Sequence, residues 1–208
     1  MSSSKLQIAD PVRFAETIFG VKLWRAQKDL LHAIVDNRRV ACKSCHASGK
    51  TYAAALAALW FCARYADARV VVIAPGWRLV RSVFWSEVHG LLQKARYKLP
   101  TTKLNETELA FGPKNLILGM STADSGRLQG QHSARLLVII DETPAIDPDF
   151  WPSIEGTLSS GDSRLLILGN PTVVGGPFFD AFGRNRSSWT TFSISALRYA
   201  EFGRPDCR

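Results

Sequence analysis

Cysteine is scarce in this sequence, and what there is does not pair up. Four cysteines, at 42, 45, 62 and 207 of 208 residues, are too few and too scattered for a disulfide framework. Long apolar runs are also missing. The longest, residues 53–63, falls short of the ~20 residues that a membrane span needs. The opening MSSSKLQIAD has no apolar stretch of the secretory kind, so a cytoplasmic protein without a membrane is expected. Internal repeats and low-complexity tracts are absent as well. Acidic residues are outnumbered: Lys+Arg 26 against Asp+Glu 18 gives a formal charge of +8 and a pI near 9.6. That surplus suits a polyanionic partner and is equally common in plain basic enzymes. What remains is a globular composition, 46% hydrophobic and 21% charged, long enough for one α/β domain with an ample core.

Apolar strands alternate with helical stretches along the chain. Residues 9–37 read as helical, opened by Asp10-Pro11 and interrupted by Gly20, with Leu23, Gln27, Leu30, Leu31 and Ile34 at helical spacing. A short strand over 38–44 precedes a glycine-bearing loop and a long helix to about Tyr65. The run 68–75 is apolar throughout and stops at Pro75-Gly76, as a strand buried on both faces does. Helix follows over 78–96, then two strands within 106–122 around Gly112-Pro113-Lys114-Asn115, a hairpin inserted in the alternation. A loop over 125–133 leads to a strand over 135–141. Asp147-Pro148 opens a helix to about Leu158, a buried strand covers 164–172, and a short helix and a last strand over 188–195 follow. This order predicts a three-layer α/β/α sandwich around a predominantly parallel sheet.

Two segments carry chemistry. Ser48-Gly49-Lys50-Thr51 ends the run CKSCHASGKT and opens the long helix. A loop there aims backbone N–H groups and the positive helix end at phosphates. Lys50 reaches the β/γ-phosphates and the Thr51 hydroxyl is a Mg²⁺ ligand. The residues lining this cradle are Ser44, Cys45, His46, Ala47, Ser48, Gly49, Lys50 and Thr51, with Ser44 where the full phosphate-loop pattern has its first glycine. Ninety residues on, LLVIIDE ends in Asp141, a Mg²⁺ acid, and Glu142, a carboxylate able to polarise water. For this pairing, the strand over 135–141 is expected beside the phosphate-loop strand, with Thr51 and Asp141 facing across a Mg²⁺-sized gap.

Other features have two readings each. Cys42-Lys-Ser-Cys45-His46 matches a haem-attachment pattern and invites a zinc or redox reading, but no second cysteine pair has metal spacing. His32, His46, His89 and His132 have no ligand spacing either. Gln27 has an amide that can pair with both edges of adenine, or it is a surface glutamine. Gly169-Asn170 at a strand end could sense the γ-phosphate or the attacking water, or simply turn the chain before Pro171. Arg127, in the loop before the acidic strand, is a candidate arginine finger, in cis or toward a neighbour, or a solvated cation. Trp77, Arg78, Arg81 and Trp85 interleave bases and aromatics as nucleic-acid tracks do, or pack at helical spacing. Asp147 and Asp149 suggest a second metal, but Asp147 serves more economically as a helix cap.

The segments LWRAQ, CKSCHASGKT, VVVIAPGW, RLQGQHSARLLVIIDE and LLILGNPT stand in that order between residues 23 and 195. In this the chain resembles the N-terminal ATPase domain of the large terminase subunit of tailed bacteriophages, a P-loop ASCE-type NTPase. The resemblance implies ATP and Mg²⁺ as cofactors and DNA-dependent ATP hydrolysis driving double-stranded DNA into a procapsid. It also implies a homo-oligomeric ring, with portal and small terminase subunit as partners, in the cytoplasm of a bacterial host. Gln27 would contact adenine, Glu142 would be the catalytic carboxylate, and Gly169-Asn170 the coupling motif. His46 stands where the family often has an arginine, which draws attention to Arg127 and Lys43. The expected division is a helical lead-in over 1–22, the motor domain over 23–195 and a tail over 196–208, with no nuclease domain or nuclease activity. The alternatives are a helicase-like nucleic-acid-dependent ATPase and a truncated, non-catalytic nucleotide- or DNA-binding remnant.

Overall fold

A computed structural model describes residues 9–195 except 129 and 160. The tail over 196–208, with Cys207, and the first eight residues lie outside them. Asp10 accepts a hydrogen bond from the Arg13 N–H at 2.6 Å and Pro11 takes the first helical position, so the chain enters α1 (Pro11–Phe14) as the Asp-Pro pair predicts. The helix widens into a π-helical segment, Ala15–Phe19, and ends at Gly20 in the left-handed region. An extended linker then leads to α2 (Arg25–Asp36). Phe14, Ile18 and Phe19 are buried in the same core as α2 and the helices beyond it.

There follow β1 (Arg39–Ser44), α3 (Lys50–Arg64), β2 (Ala68–Ala74) and α4 (Trp77–Leu79). A second π-helical segment, Val80–Trp85, joins α4 to α5 (Ser86–Lys94), so the predicted helix over 78–96 is one rod with a widened middle. Next come β3 (Lys103–Leu104), β4 (Glu108–Phe111), β5 (Asn115–Ser121), α6 (Ser125–Leu128) and β6 (Arg135–Ile140). The chain ends its described part with α7 (Trp151–Thr157), β7 (Asp162–Gly169), α8 (Gly176–Phe182) and β8 (Thr190–Ile194). The stretch 125–133, expected as loop, holds the single turn α6. Asp147 caps the 3-10 turn before α7, accepting from the Asp149 N–H at 2.9 Å.

All eight strands form one sheet in the order β3-β4-β5-β2-β6-β7-β1-β8. From β5 to β8 the pairings are parallel; β3 and β4 are added antiparallel at one edge. The hairpin expected within 106–122 is therefore β4 and β5, but β5 is itself a parallel partner of β2. Alternation along the strands explains the layers. On β2, Val70 and Val72 face the core with α1, α2, α3 and α5, while Val71 and Ile73 face the core with α6, α7 and α8.

One expectation about the sheet is overturned. β6 does not lie beside β1, because β7 pairs with both and separates them. Three consecutive apolar strands look alike in sequence, and periodicity says that a strand is buried without saying which strand is its neighbour.

Candidate phosphate-binding site

The site is built at the carboxyl ends of β1, β7 and β6, where parallel sheets of this kind hold ligands. Ser44, the last residue of β1, is buried and its hydroxyl accepts a hydrogen bond from Ser48 Oγ at 2.9 Å. The serine that replaces the first glycine of the pattern thus ties the loop's two ends together. The Cys45 N–H donates to the Ile194 carbonyl at 3.2 Å, pinning the loop to β8. Ala47 and Gly49 both take the left-handed region, at φ 57° and 73°. At Ala47 this costs about 1 kcal/mol. At Gly49 the left-handed backbone favours glycine, and a Cβ would also displace the Gln27 amide, whose Nε2 would lie 2.6 Å away. α3 then starts at Lys50, so the N–H groups for which a helix's first turn has no intrahelical acceptor lie at the loop. Its next turns are buried without a break from Ala53 to Cys62, so that helix end is fixed in position.

Four side chains meet above this frame. The Thr51 hydroxyl donates to Asp141 Oδ2 at 2.7 Å, while Asp141 Oδ1 accepts from the Glu142 N–H at 3.0 Å. The two groups expected to face across a Mg²⁺-sized gap are in direct contact. Lys50, 7% exposed, holds its Nζ 3.4 Å from Glu142 Oε1, and the Glu142 side chain is 34% exposed. Burial pushes the Asp141 carboxyl above its ordinary value. The Thr51 hydrogen bond and the Lys50 charge oppose that shift, and the Glu142 charge adds to it. Glu142 itself sits in the left-handed region at φ 51°, a conformation that neighbours must hold.

Those neighbours are residues that sequence reasoning passed over. Thr143 is buried; its hydroxyl donates to the Ile140 carbonyl at 3.0 Å and accepts from the Leu168 N–H at 3.2 Å. Pro144 lies against Gly169 so closely that a Cβ on Gly169 would sit 2.3 Å from Pro144 Cδ. A Thr-Pro directly after the acidic pair, and a glycine ending the next apolar strand, were the available signals. Beyond Gly169, Asn170 Nδ2 lies 2.7 Å from His46 Nε2. The strand end and the phosphate loop therefore touch.

Other candidates fall elsewhere. Gln27 reaches the loop, but its amide is occupied: Oε1 accepts from the Trp24 N–H at 3.4 Å and Nε2 donates to the Gly49 carbonyl at 3.3 Å. Both bonds are long. The structure does not bring Arg127 to the cluster. It is exposed on α6, and the next residue, Leu128, takes its carbonyl to Thr157 at the last turn of α7. Lys43 faces away, with Nζ 4.7 Å over the Phe182 ring. Cys42 is buried in the core and its thiol is pushed up to about 12 by burial, partly opposed by Lys50. The C-x-x-C-H match thus lacks its first available ligand. Among the described residues no group of three or more His, Cys, Asp and Glu could hold a metal ion, and no helix is long and apolar enough to cross a membrane. Of the basic-aromatic set, Trp85 is core, while Arg81 lies 5.3 Å over Trp77 and pairs with Glu106 at 3.3 Å.

A phosphate loop between strand and helix, and an acidic pair on a strand one place removed in a parallel sheet, define the fold of a P-loop NTPase. No family model matches the chain. It is similar to a protein of Enterobacteria phage P7 described as "Probable terminase, large subunit", 25% identical over 185 aligned positions, with 84% of this chain and 37% of that protein covered. The chain thus spans little more than a third of the length of this curated relative. Its fold is that of large terminase ATPase domains. The Thermus phage P74-26 domain superposes with a TM-score of 0.65 at 21% identity, covering 93% of each chain. The large terminase of another thermophilic bacteriophage, in complex with ADP, superposes with a TM-score of 0.66 at 13% identity, over 88% of this chain and 48% of that one.

Proposed function

We propose that this chain is the ATP-hydrolysing motor domain of a viral DNA-packaging terminase large subunit. One observation carries the reading: Thr51 and Lys50, from the phosphate loop, meet Asp141 and Glu142, from the end of β6, across an intervening strand. Few purposes other than gripping a nucleoside triphosphate bring a hydroxyl, an ammonium and two carboxylates together at a helix N-terminus. Lys50 would exchange its Glu142 partner for β/γ-phosphate oxygens. Glu142, so released, orients the attacking water and accepts its proton. Asn170 contacts that water or the γ-phosphate, and Gln27 turns its amide to adenine once its two long hydrogen bonds exchange. Thr51 and Asp141 would hold Mg²⁺. Two oxygen donors from the protein suit an ion that keeps several waters and phosphate oxygens in its shell, and when bound it neutralises charge on the transferring phosphoryl group.

The energy drives double-stranded DNA through a ring of identical subunits in the host cytoplasm, with the portal and the small terminase subunit as partners. Arg127, exposed on α6, would serve a neighbouring subunit. The motor domain spans 23–195, with the helical lead-in over 11–19 packed into its core. DNA-stimulated ATP hydrolysis tests the reading. Lys50→Ala is expected to lose both nucleotide binding and turnover. Glu142→Gln is expected to keep binding and lose turnover by about 10²-fold or more. Turnover that survives both changes would overturn the site; binding without turnover in the unaltered chain would make it a non-catalytic remnant.

A further inference from the structure

The backbone around Asn170 is fixed on both sides. Behind it, the Leu168 N–H is bound to Thr143 Oγ1, Gly169 is pressed on Pro144, and Gly169 is in register with Lys43 of β1. Ahead, the Asn170 carbonyl accepts from the Thr172 N–H at 2.8 Å. What the backbone leaves undecided is which end of the side-chain amide points where, since its donor and acceptor ends exchange by a half-turn. The donor end, Nδ2, meets His46 Nε2 at 2.7 Å. The acceptor end, Oδ1, is buried without a hydrogen-bond partner in a residue only 7% exposed. For Nδ2 to donate, Nε2 must keep its lone pair, so the His46 proton sits on Nδ1.

We propose that His46 is a positioning residue for hydrolysis: by accepting from Asn170 Nδ2 it turns Oδ1 away from the loop and leaves it as the acceptor for the attacking water. This rests on the ATPase reading given above. An unpartnered buried carbonyl oxygen is unfavourable, and a water that donates to Oδ1 relieves it. The opposite amide orientation would present a donor, which cannot help to deprotonate water. In this role His46 acts through Asn170.

Two measurements on the full chain test this. The first is long-range ¹H–¹⁵N NMR of the histidine rings without nucleotide. His46 is expected with a bare Nε2 and a protonated Nδ1, and Asn170→Ala is expected to shift its resonances. A protonated Nε2 in the unaltered chain would overturn the proposal. The second is steady-state kinetics. His46 is exposed, so His46→Ala leaves the core intact; it is expected to lower kcat on the order of 10-fold with KM for ATP changed less than about threefold. Asn170→Ala should lose about as much, the double variant no more than Asn170→Ala alone, and His46→Gln, whose carbonyl also accepts, should recover most of kcat. Losses that multiply, or a His46→Ala effect confined to KM, would mean that His46 acts on its own. If the unaltered chain does not hydrolyse ATP the motor reading falls, while the NMR result still decides the His46–Asn170 contact.

Discussion

Asp141 is the residue on which the fold and the site pull in opposite directions. It is buried, and burial holds its carboxyl above the ordinary 3.8 against the Thr51 hydrogen bond and the Lys50 charge. A carboxyl whose folded pKa is raised binds its proton more tightly in the native state. Its contribution to stability is therefore complete below the unfolded value and lost as pH rises through the folded one. Asp141→Asn removes that cost and keeps the contacts: Oδ1 still accepts from Glu142 N–H, and the new amide can donate to Thr51 Oγ1. The variant is expected to melt higher than the wild type at neutral pH, with the difference closing toward about pH 4, and to be inactive. Melting curves by circular dichroism across that range check this; a lower melting point at neutral pH would mean that Thr51 and Lys50 outweigh burial. Lys50, Thr51, Asp141 and Glu142 stood out in the sequence because residue types in that pattern suit phosphate chemistry, and the structure brings them together. The Ser48–Ser44 hydrogen bond did not, because it is a partnership between two common residues that no pattern encodes.

At the level of elements, the turn after β6 and the end of β7 act as one piece. Thr143 joins their backbones and Pro144 fills the space over Gly169. Gly169→Ala must push Pro144 away, and with it Glu142, whose left-handed backbone is two residues earlier. Turnover is expected to fall at least about tenfold with nucleotide affinity kept. Gly169→Ala combined with Pro144→Ala, which removes both colliding atoms, is expected to recover part of the loss. Additive damage in the double variant would mean that the two residues act separately. β2, β6 and β7 were visible as apolar runs, and the helix caps at Asp10 and Asp147 as Asp-Pro pairs. The π-helical widenings at Ala15–Phe19 and Val80–Trp85 were not, because an inserted residue in a helix barely disturbs apolar spacing over one turn.

At the scale of the molecule, the N-terminal helix belongs to the domain's core. Phe14 is 1% exposed, meets Phe19 edge-on at 5.6 Å and shares its cluster with α3. Phe14→Ala is expected to cost about 3–5 kcal/mol, seen in urea denaturation as one transition with a lower midpoint; an unchanged main transition would make residues 11–19 an appendage. Sequence alone suggested a lead-in there because nothing local distinguishes a helix that docks from one that precedes. The order of strands was equally beyond its reach, and it has a consequence for how the site must work. β7 lies between the strand that feeds the proposed grip on phosphate and the strand that bears the carboxylates, in register with both. The distance between grip and carboxylates is thus set by two strand spacings of about 4.8 Å, and β7 is the ruler. Its end runs through Asn170 and Pro171 into Val174, 89% exposed. Any widening of the cleft by a nucleotide is a misfit along β7, and the free end of that strand is where the misfit would come to the surface.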